Sequence, residues 1–261
     1  MKFFDCFMYH DEDLILDIRL NTLNDYVDKF VIVEAKADHQ GNKKKLNFNI
    51  DNYRKFEEKI VYKVIEFFPE NYNDWERENF QRNFITDGLN FAQENDYIII
   101  SDVDEIPNLS KLSNIKKYKF TAFEQKMFYY KINLLNKTYP TWIGSKMCQK
   151  KYLKSPQWLR NQKVKNYPFW KFYKKRWNLI KSGGWHFSFL MSPEDVQKKI
   201  KSFAHSEFNI NEFTNLNKIS KSINQGLDIF DRDMTYQKID FDDSFPNYIQ
   251  NNRKKFKDWI L

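Results

Sequence analysis

Glycine, proline, cysteine and histidine are all scarce in this 261-residue chain, which has six, seven, two and four of them. So little glycine and proline excludes a collagenous, low-complexity or linker-like polymer, since those compositions depend on both residues. Cys6 and Cys148 are too few for a disulfide scaffold. They lie in apolar surroundings without metal-ligand spacing and are expected to be buried free thiols, which suits a reducing, cytoplasmic setting. No apolar run approaches the length of a membrane span, and the opening Met1-Lys2-Phe3-Phe4-Asp5 lacks the sustained apolar stretch of a signal peptide. At most peripheral contact with a membrane is expected.

What the chain does have is aromatic and basic residues. Aromatics make up 18% of a composition that is 41% hydrophobic, enough to bury a large core in one domain. A net charge of +8 and a pI near 9.1 fit a nucleic acid, an anionic membrane surface or a negatively charged substrate such as a nucleotide sugar. A nucleic-acid-binding protein comes last among these, because the basic residues are dispersed and no nucleic-acid motif is present, so no nucleic-acid partner is expected.

The densest signal is Asp96-Tyr97-Ile98-Ile99-Ile100-Ser101-Asp102-Val103-Asp104-Glu105-Ile106-Pro107. An unbroken apolar run rich in isoleucine predicts a short strand buried on both faces, as in the centre of a parallel sheet. Asp102, Asp104 and Glu105 then emerge where the strand ends, which is where open α/β sheets place their ligands. Crowded carboxylates repel unless a cation or a set of donors compensates them, and hard oxygen ligands suit Mg2+ or Mn2+. Asp102 and Asp104 are therefore candidate ligands of a metal that could hold a diphosphate; the plainer reading is a solvated acidic turn. A Mg2+-dependent phosphohydrolase competes, because an apolar strand ending in Asp-x-Asp also opens the haloacid-dehalogenase-type phosphatases. There the motif sits near the amino terminus and continues into small residues, whereas here it continues into Glu-Ile-Pro.

Strand and helix signals alternate along the rest of the chain. Residues 3–9, 29–34 and 60–67 read as strands, 51–59 as a helix and 36–50 as a polar loop over the active edge. Glu34 closes the second strand and would emerge beside Asp102 if the two run parallel. Asn73 with Glu76 predicts a capped helix carrying Phe80, Phe84, Ile85, Leu89, Phe91 and Ala92, with Arg77, Gln81 and Gly88 along the middle of its buried face. An inward Arg77 must meet a ligand anion or a structural acid such as Glu34, so Arg77 and Gln81 belong near the strand-end site. Residues 120–132 suit a long strand. Trp142, Trp158, Trp170 and Trp177 are candidate sugar platforms as well as candidate core. In Gly183-Gly184-Trp185-His186-Phe187-Ser188-Phe189, His186 is either a hydrogen-bonded core residue or a further metal ligand. Ser192-Pro193 opens a helix, and another helical stretch covers 211–224.

The shared order of Phe30 to Ala35, Gly41 to Leu46, Trp75 to Asn83, Ile100 to Pro107, Trp185 to Ser188 and Phe203 to Glu207 resembles glycosyltransferase family 17 over residues 3 to about 232. The resemblance implies an α/β, GT-A type nucleotide-diphospho-sugar transferase fold with a mostly parallel central sheet flanked by helices. It would form one domain over 1–261, with a donor-binding half of about 1–110 and a half of about 111–261 that completes the acceptor and metal sites. Implied too are a UDP-sugar donor, N-acetylglucosamine as the transferred sugar, a glycan or glycoconjugate acceptor and inversion at the anomeric carbon. Mn2+ or Mg2+ would be held by Asp102 and Asp104 with His186 added, while Glu34, Arg77, Gln81, Asp102 and Trp185 would serve the donor. An inverting displacement needs a base at the acceptor hydroxyl, for which Glu105, Glu207 and Asp231 are candidates. The sequence shows neither the membrane anchor nor the luminal stem of the animal members, so a Golgi setting and a glycoprotein acceptor are not carried over.

Overall fold

Residues 1–165 and 176–261 are described by a computed structural model. The chain begins β1 (Phe3–Met8), α1 (Asp13–Leu23), β2 (Lys29–Ala35), β3 (Ile60–Ile65), α2 (Asp74–Asn83) and β4 (Tyr97–Ile100). It continues β5 (Glu105–Pro107), β6 (Phe120–Tyr129), β7 (Leu134–Asn136), β8 (Thr141–Gln149), α3 (Pro156–Asn161), β9 (Trp177–Ile180) and β10 (Gly184–Ser188). Last come α4 (Pro193–Ser202), α5 (Leu216–Gln225), β11 (Tyr236–Lys238) and α6 (Asn247–Asn251). The strands make one sheet in the order β11-β7-β6-β8-β4-β1-β2-β3, with β9 and β10 also pairing with β6, and β5 with β10.

The predicted βαβ rhythm produces the parallel part, in which β3, β2, β1 and β4 all run the same way. Beyond β4 the sheet is mixed: β8 pairs antiparallel with β4 and β6, and β6 with β7. Short connections among β6, β7 and β8 leave no room for the helical crossover that parallel pairing needs, so these strands pair antiparallel, while β9 and β10 return to pair parallel with β6. Alternation sends Phe7, Phe30, Ile32 and Ile99 to one face with α1, and Cys6, Val31, Val33 and Ile100 to the other with Ile85 and Leu89. Burial on both faces is why the strand sequences show no polar alternation. Cys6 and Cys148 are buried free thiols on that second face.

At the start of α2, Asn73 accepts from the Glu76 amide at 3.0 Å and Glu76 accepts from the Asn73 amide at 2.8 Å. The helix is shorter than predicted, ending at Asn83 and passing into a tight 3-10 turn over Phe84–Gly88. A Cβ on Gly88 would lie 2.3 Å from Val31 Cγ1, so glycine is what lets this turn lie against β2. Phe91, predicted to be inward, is 68% exposed. The expected helix over 51–59 is a 3-10 segment, Ile50–Lys59, kinked at Tyr53 because that residue leaves helical geometry.

On α1 the apolar face is interrupted by Arg19, which is wholly buried. Its Nε and Nη2 donate to Asp5 on β1 at 2.7 and 2.6 Å. Its Nη1 donates to the carbonyls of Asp102, Val103 and Glu105 at 3.0, 3.1 and 2.8 Å. One guanidinium thus fastens the acidic loop to the first helix and first strand. Removing one member of a buried pair strands the other charge, so Arg19→Leu is expected to lower the unfolding free energy by roughly 3–5 kcal/mol. Urea denaturation at constant m-value checks this, and a loss below about 1 kcal/mol would show that the pair does not hold the loop.

Candidate active site

The carboxyl ends of β1, β2 and β4 share one sheet edge, and a cleft of about 680 Å³ opens there. Tyr9 and His10 follow β1, Asp38 and His39 follow β2, and Asp102 and Asp104 follow β4 along its walls. On the far side β5 pairs antiparallel with β10, placing His186 opposite Glu105. The Phe187 amide donates to the Asp104 carbonyl at 2.9 Å. The acidic motif and the glycine–aromatic segment are thereby zipped together, with His186 Nε2 3.5 Å from Asp104 Oδ1. Lys199 of α4 reaches in from above, 3.3 Å from Glu12 Oε1 and 3.9 Å from Asp104 Oδ2.

The three motif carboxylates have different surroundings. Asp102 lies between two guanidiniums, with Arg82 of α2 at 3.0 Å and Arg160 of α3 at 2.6 Å. Glu105 is buried beneath it and accepts from Arg160 Nη1 and Nη2 at 2.7 and 2.8 Å, from Trp142 Nε1 at 2.6 Å and from the Asp102 amide at 3.0 Å. A Cβ at position 144 would sit 2.3 Å from Glu105 Cδ, so Gly144 makes room for this arrangement. Asp104 alone faces His186 and Lys199.

Charge compensation follows these contacts. Burial alone would raise the Asp102 carboxyl, but Arg160 and Arg82 hold it well below the usual carboxylate range. Asp104 is lowered as well, because His186 and Lys199 outweigh its burial. In the same way His186 is raised against its burial, chiefly by Asp104. Lys146 supports the arrangement from behind, donating to the carbonyls of Arg160 and Gln162 where α3 ends. Burial there brings its pKa down to about 8.

No group of three or more His, Cys, Asp or Glu side chains is set to hold a metal among the described residues. Both Asp102 oxygens are engaged by arginine, which leaves Asp104 and His186 as the converging donor pair. A two-donor set fits a cation of the Mg2+ or Mn2+ kind, which takes one or two protein ligands and completes its shell with phosphate oxygens and water. Arg82 Nε and His186 Nδ1 are buried without a hydrogen-bond partner, and both residues line the cleft. Unpaired buried polar atoms of this kind are uncommon and call for a ligand, a water or an ion.

The other predicted site residues divide. Gln81 lines the cleft, donating to the Val33 carbonyl at 3.0 Å and meeting His39 Nε2 at 2.8 Å. Arg77 instead pairs with Asp74 at 3.2 Å and donates to the His39 carbonyl at 3.0 Å, bracing the 38–42 loop. Glu34 is fully buried and saturated by Lys44, Tyr62 and the amides of Asn47 and Phe48, so it ties down the 36–50 loop and faces no ligand. Trp185 points away from the cleft, because neighbours along a strand face opposite ways; its Nε1 donates to the Ser244 carbonyl at 2.9 Å beside a second cavity. Glu207 pairs with His205 and Asp231 with Lys218 on the exposed surface, and neither lines the cleft. Glu105, Glu207 and Asp231 therefore offer no free carboxylate to it; Glu12 and Glu78 line it, and they too are paired, with Lys199 and Arg82. Of the candidate platforms, Trp177 is core, Trp158 is partly buried beside Phe120, Trp142 is exposed in the cleft, and Trp170 lies outside the described residues.

Arg19, Arg82, Arg160 and Lys199 carry much of the site and were not singled out from the sequence. Arg82 had a signal, since it follows Gln81 in the segment Trp75 to Asn83 that carries the family resemblance. Arg160 had none, being 58 residues from the aspartate it grips.

A sheet-edge cleft with an Asp–His pair, flanked by guanidiniums, is the candidate site of this α/β fold. Residues 1–257 match the sequence profile of glycosyltransferase family 17, and the chain belongs to that family. It is 27% identical over 226 residues to β-1,4-mannosyl-glycoprotein 4-β-N-acetylglucosaminyltransferases of Homo sapiens and Rattus norvegicus, a match covering 76% of this chain and 42% of each relative. The match thus spans less than half the length of these curated relatives. Among solved structures, a glycosyltransferase involved in glycosylation of the PBCV-1 major capsid overlaps 69% of this chain and 82% of its own at 11% identity, with a TM-score of 0.34.

Because the folded-state pKa of Asp102 is depressed, its ionic contribution to stability is present above the ordinary aspartate pKa and is lost as pH falls below about 4. The stability difference between the wild type and Asp102→Asn, followed by chemical denaturation, is expected to be largest at neutral pH and to shrink steadily from pH 4 downward. A difference independent of pH would mean that the arginines do not hold Asp102 ionised.

Proposed function

We propose that the protein is an inverting glycosyltransferase that moves a sugar from a UDP-sugar to a glycan or glycoconjugate acceptor. N-Acetylglucosamine is the sugar suggested by the names of the curated relatives. One observation carries this reading: the Asp104–His186 pair at the carboxyl end of β4, with Arg82, Arg160 and Lys199 around it, in the cleft of a family 17 chain. The uridine side would be the loops after β1 and β2, and the diphosphate would lie over the acidic loop at the centre of the edge.

Asp104 and His186 would hold Mn2+ or Mg2+ against that diphosphate. When bound, such a cation offsets the negative charge that grows on the departing UDP. Arg82, Arg160 and Lys199 act in the same direction with fixed positive charge that needs no reorganisation as the glycosidic bond breaks. Asp102 serves the donor through them, holding two guanidiniums at the floor of the cleft. Gln81 keeps the neutral His39 on the nucleotide side, where burial depresses the imidazole pKa. The base for the acceptor hydroxyl would come from a cleft carboxylate; besides Asp38, Asp102 and Asp104, the cleft is lined by Glu12, paired with Lys199, and Glu78, paired with Arg82.

A thermal-shift series with UDP and UDP-N-acetylglucosamine, with and without Mn2+, tests this reading. A ligand at a hundred times its dissociation constant contributes about 2.7 kcal/mol, which corresponds to roughly 5–10 °C in Tm for a chain of this size. Asp104→Ala is expected to unfold cooperatively near the wild-type Tm, to lose the Mn2+-dependent part of the UDP shift and to transfer no sugar. Wild-type transfer by that variant would remove Asp104 from the chemistry.

A further inference from the structure

Several large apolar side chains are exposed, among them Phe67 at 83%, Phe91 at 68% and Trp142 at 42%. Single exposed apolar residues are ordinary and need no explanation. Phe67 and Phe91 are of that kind, lying outside the cleft. Trp75 and Trp142 are both exposed inside the cleft, and Trp142 differs in being held in one orientation at its transfer end. Its Nε1 is tied to Glu105 at 2.6 Å, and Glu105 is itself clamped by both terminal nitrogens of Arg160. The ring centroid lies 5.9 Å from that of His186, one of the two converging donors.

The strand order says which ligand portion this ring meets. Along the edge the sequence is β2, β1, β4, β8, so the cleft runs from the loops after β1 and β2, across the acidic loop after β4, to Trp142 at the start of β8. A diphosphate centred on Asp104 with its nucleoside toward β1 and β2 puts whatever is attached on the other side against the indole. An indole offers an electron-rich face that suits the C–H face of a pyranose, while the sugar hydroxyls remain for polar partners.

We infer that Trp142 is the stacking platform for a pyranose ring on the transfer side of the cleft, and that Glu105 is the positioning residue that fixes the indole. The ligand class rests on the glycosyl-transfer reading above; the platform itself rests on the clamp and the exposure. Either the donor sugar or the acceptor sugar could supply the ring, and the two separate experimentally.

Wild type, Trp142→Leu, Trp142→Phe and Glu105→Gln would be titrated with UDP, with UDP-N-acetylglucosamine in Mn2+, and with methyl β-D-mannopyranoside and methyl β-N-acetylglucosaminide in the presence and absence of UDP. Trp142→Leu keeps apolar bulk without a ring and is expected to weaken binding about tenfold in one sugar arm, with UDP binding unchanged. Trp142→Phe keeps a ring but loses the N–H that Glu105 holds, so its sugar affinity should fall between those of wild type and Trp142→Leu, and wild-type affinity in it would remove the positioning role of Glu105. Glu105→Gln retains an acceptor for the indole N–H, and its sugar affinity should lie closer to wild type than that of Trp142→Leu. Weakening confined to the glycosides assigns the ring to the acceptor; weakening of UDP-N-acetylglucosamine but not UDP assigns it to the donor sugar. Sugar binding by Trp142→Leu equal to wild type in every arm, or no sugar binding by wild type at all, overturns the platform. Failure of wild type to bind UDP would sink the donor reading while leaving the glycoside arms to judge Trp142.

Discussion

A buried cation on the first helix determines where the acidic loop can lie. Arg19 has no access to water, and desolvating a guanidinium is tolerable only when all its donors are met. Asp5 meets two nitrogens and three backbone carbonyls of residues 102–105 meet the third. Carbonyls drawn inward toward one point leave the Asp102 and Asp104 side chains directed to the cleft. A lysine could not serve, since a single ammonium cannot span a carboxylate and a turn of backbone in the planar fork that arginine presents. The ring of Phe7 lies 4.5 Å beneath the guanidinium and completes its shell.

Above this anchor the site is built by alternating charge. Unit charges 4 Å apart interact by about 4 kcal/mol at the effective dielectric typical of a protein surface, so bare carboxylates at 102, 104 and 105 would push the loop apart. Arg160 bridges Asp102 and Glu105, Arg82 takes the other oxygen of Asp102, and Lys199 with His186 faces Asp104. Buried ion pairs add little net stability once desolvation is counted, so the network is better understood as fixing position. Through it α2, α3, α4 and β10, distant in sequence, are referred to one turn of backbone. Glu105 extends that order outward by one more residue, to the indole of Trp142.

Local signals carried the parallel half of the fold. Unbroken apolar runs and the Asn73–Glu76 capping box each depend on residues near one another in the chain, and both were legible. The acidic strand end was legible for the same reason. The division of labour among its carboxylates was not, because it depends on partners from α2 and α3 that only the sheet order brings to them. Glu34, Glu105 and Trp185 show the limit from the other side. Glu34 and Trp185 have the residue types a donor site would use and Glu105 that of a base, and each is turned inward by a hydrogen bond to a remote segment: Tyr62 for Glu34, Arg160 for Glu105, Ser244 for Trp185. Of the antiparallel strands after Pro107, β6 was legible as the long strand over 120–132, whereas β7 and β8 were hidden, the one being three residues long and the other lacking a clean period of two.

Where so many charges find partners inside the protein, what remains unpaired is the more informative set. Thr22 Oγ1, Arg82 Nε and His186 Nδ1 are the buried side-chain polar atoms without a partner among the described residues, and two of the three belong to the cleft. Each of those two side chains still spends an outer nitrogen on the acidic loop, Arg82 Nη2 on Asp102 and His186 Nε2 on Asp104, so the loop holds both at the cleft wall. The exposed face of Trp142 is the apolar counterpart, a surface that solvent covers poorly and a sugar ring covers well. Guanidiniums at the centre of the edge and a fixed aromatic face at one end are the features on which the nucleotide-sugar reading proposed above draws, and both are held in place by the acidic loop that Arg19 ties down.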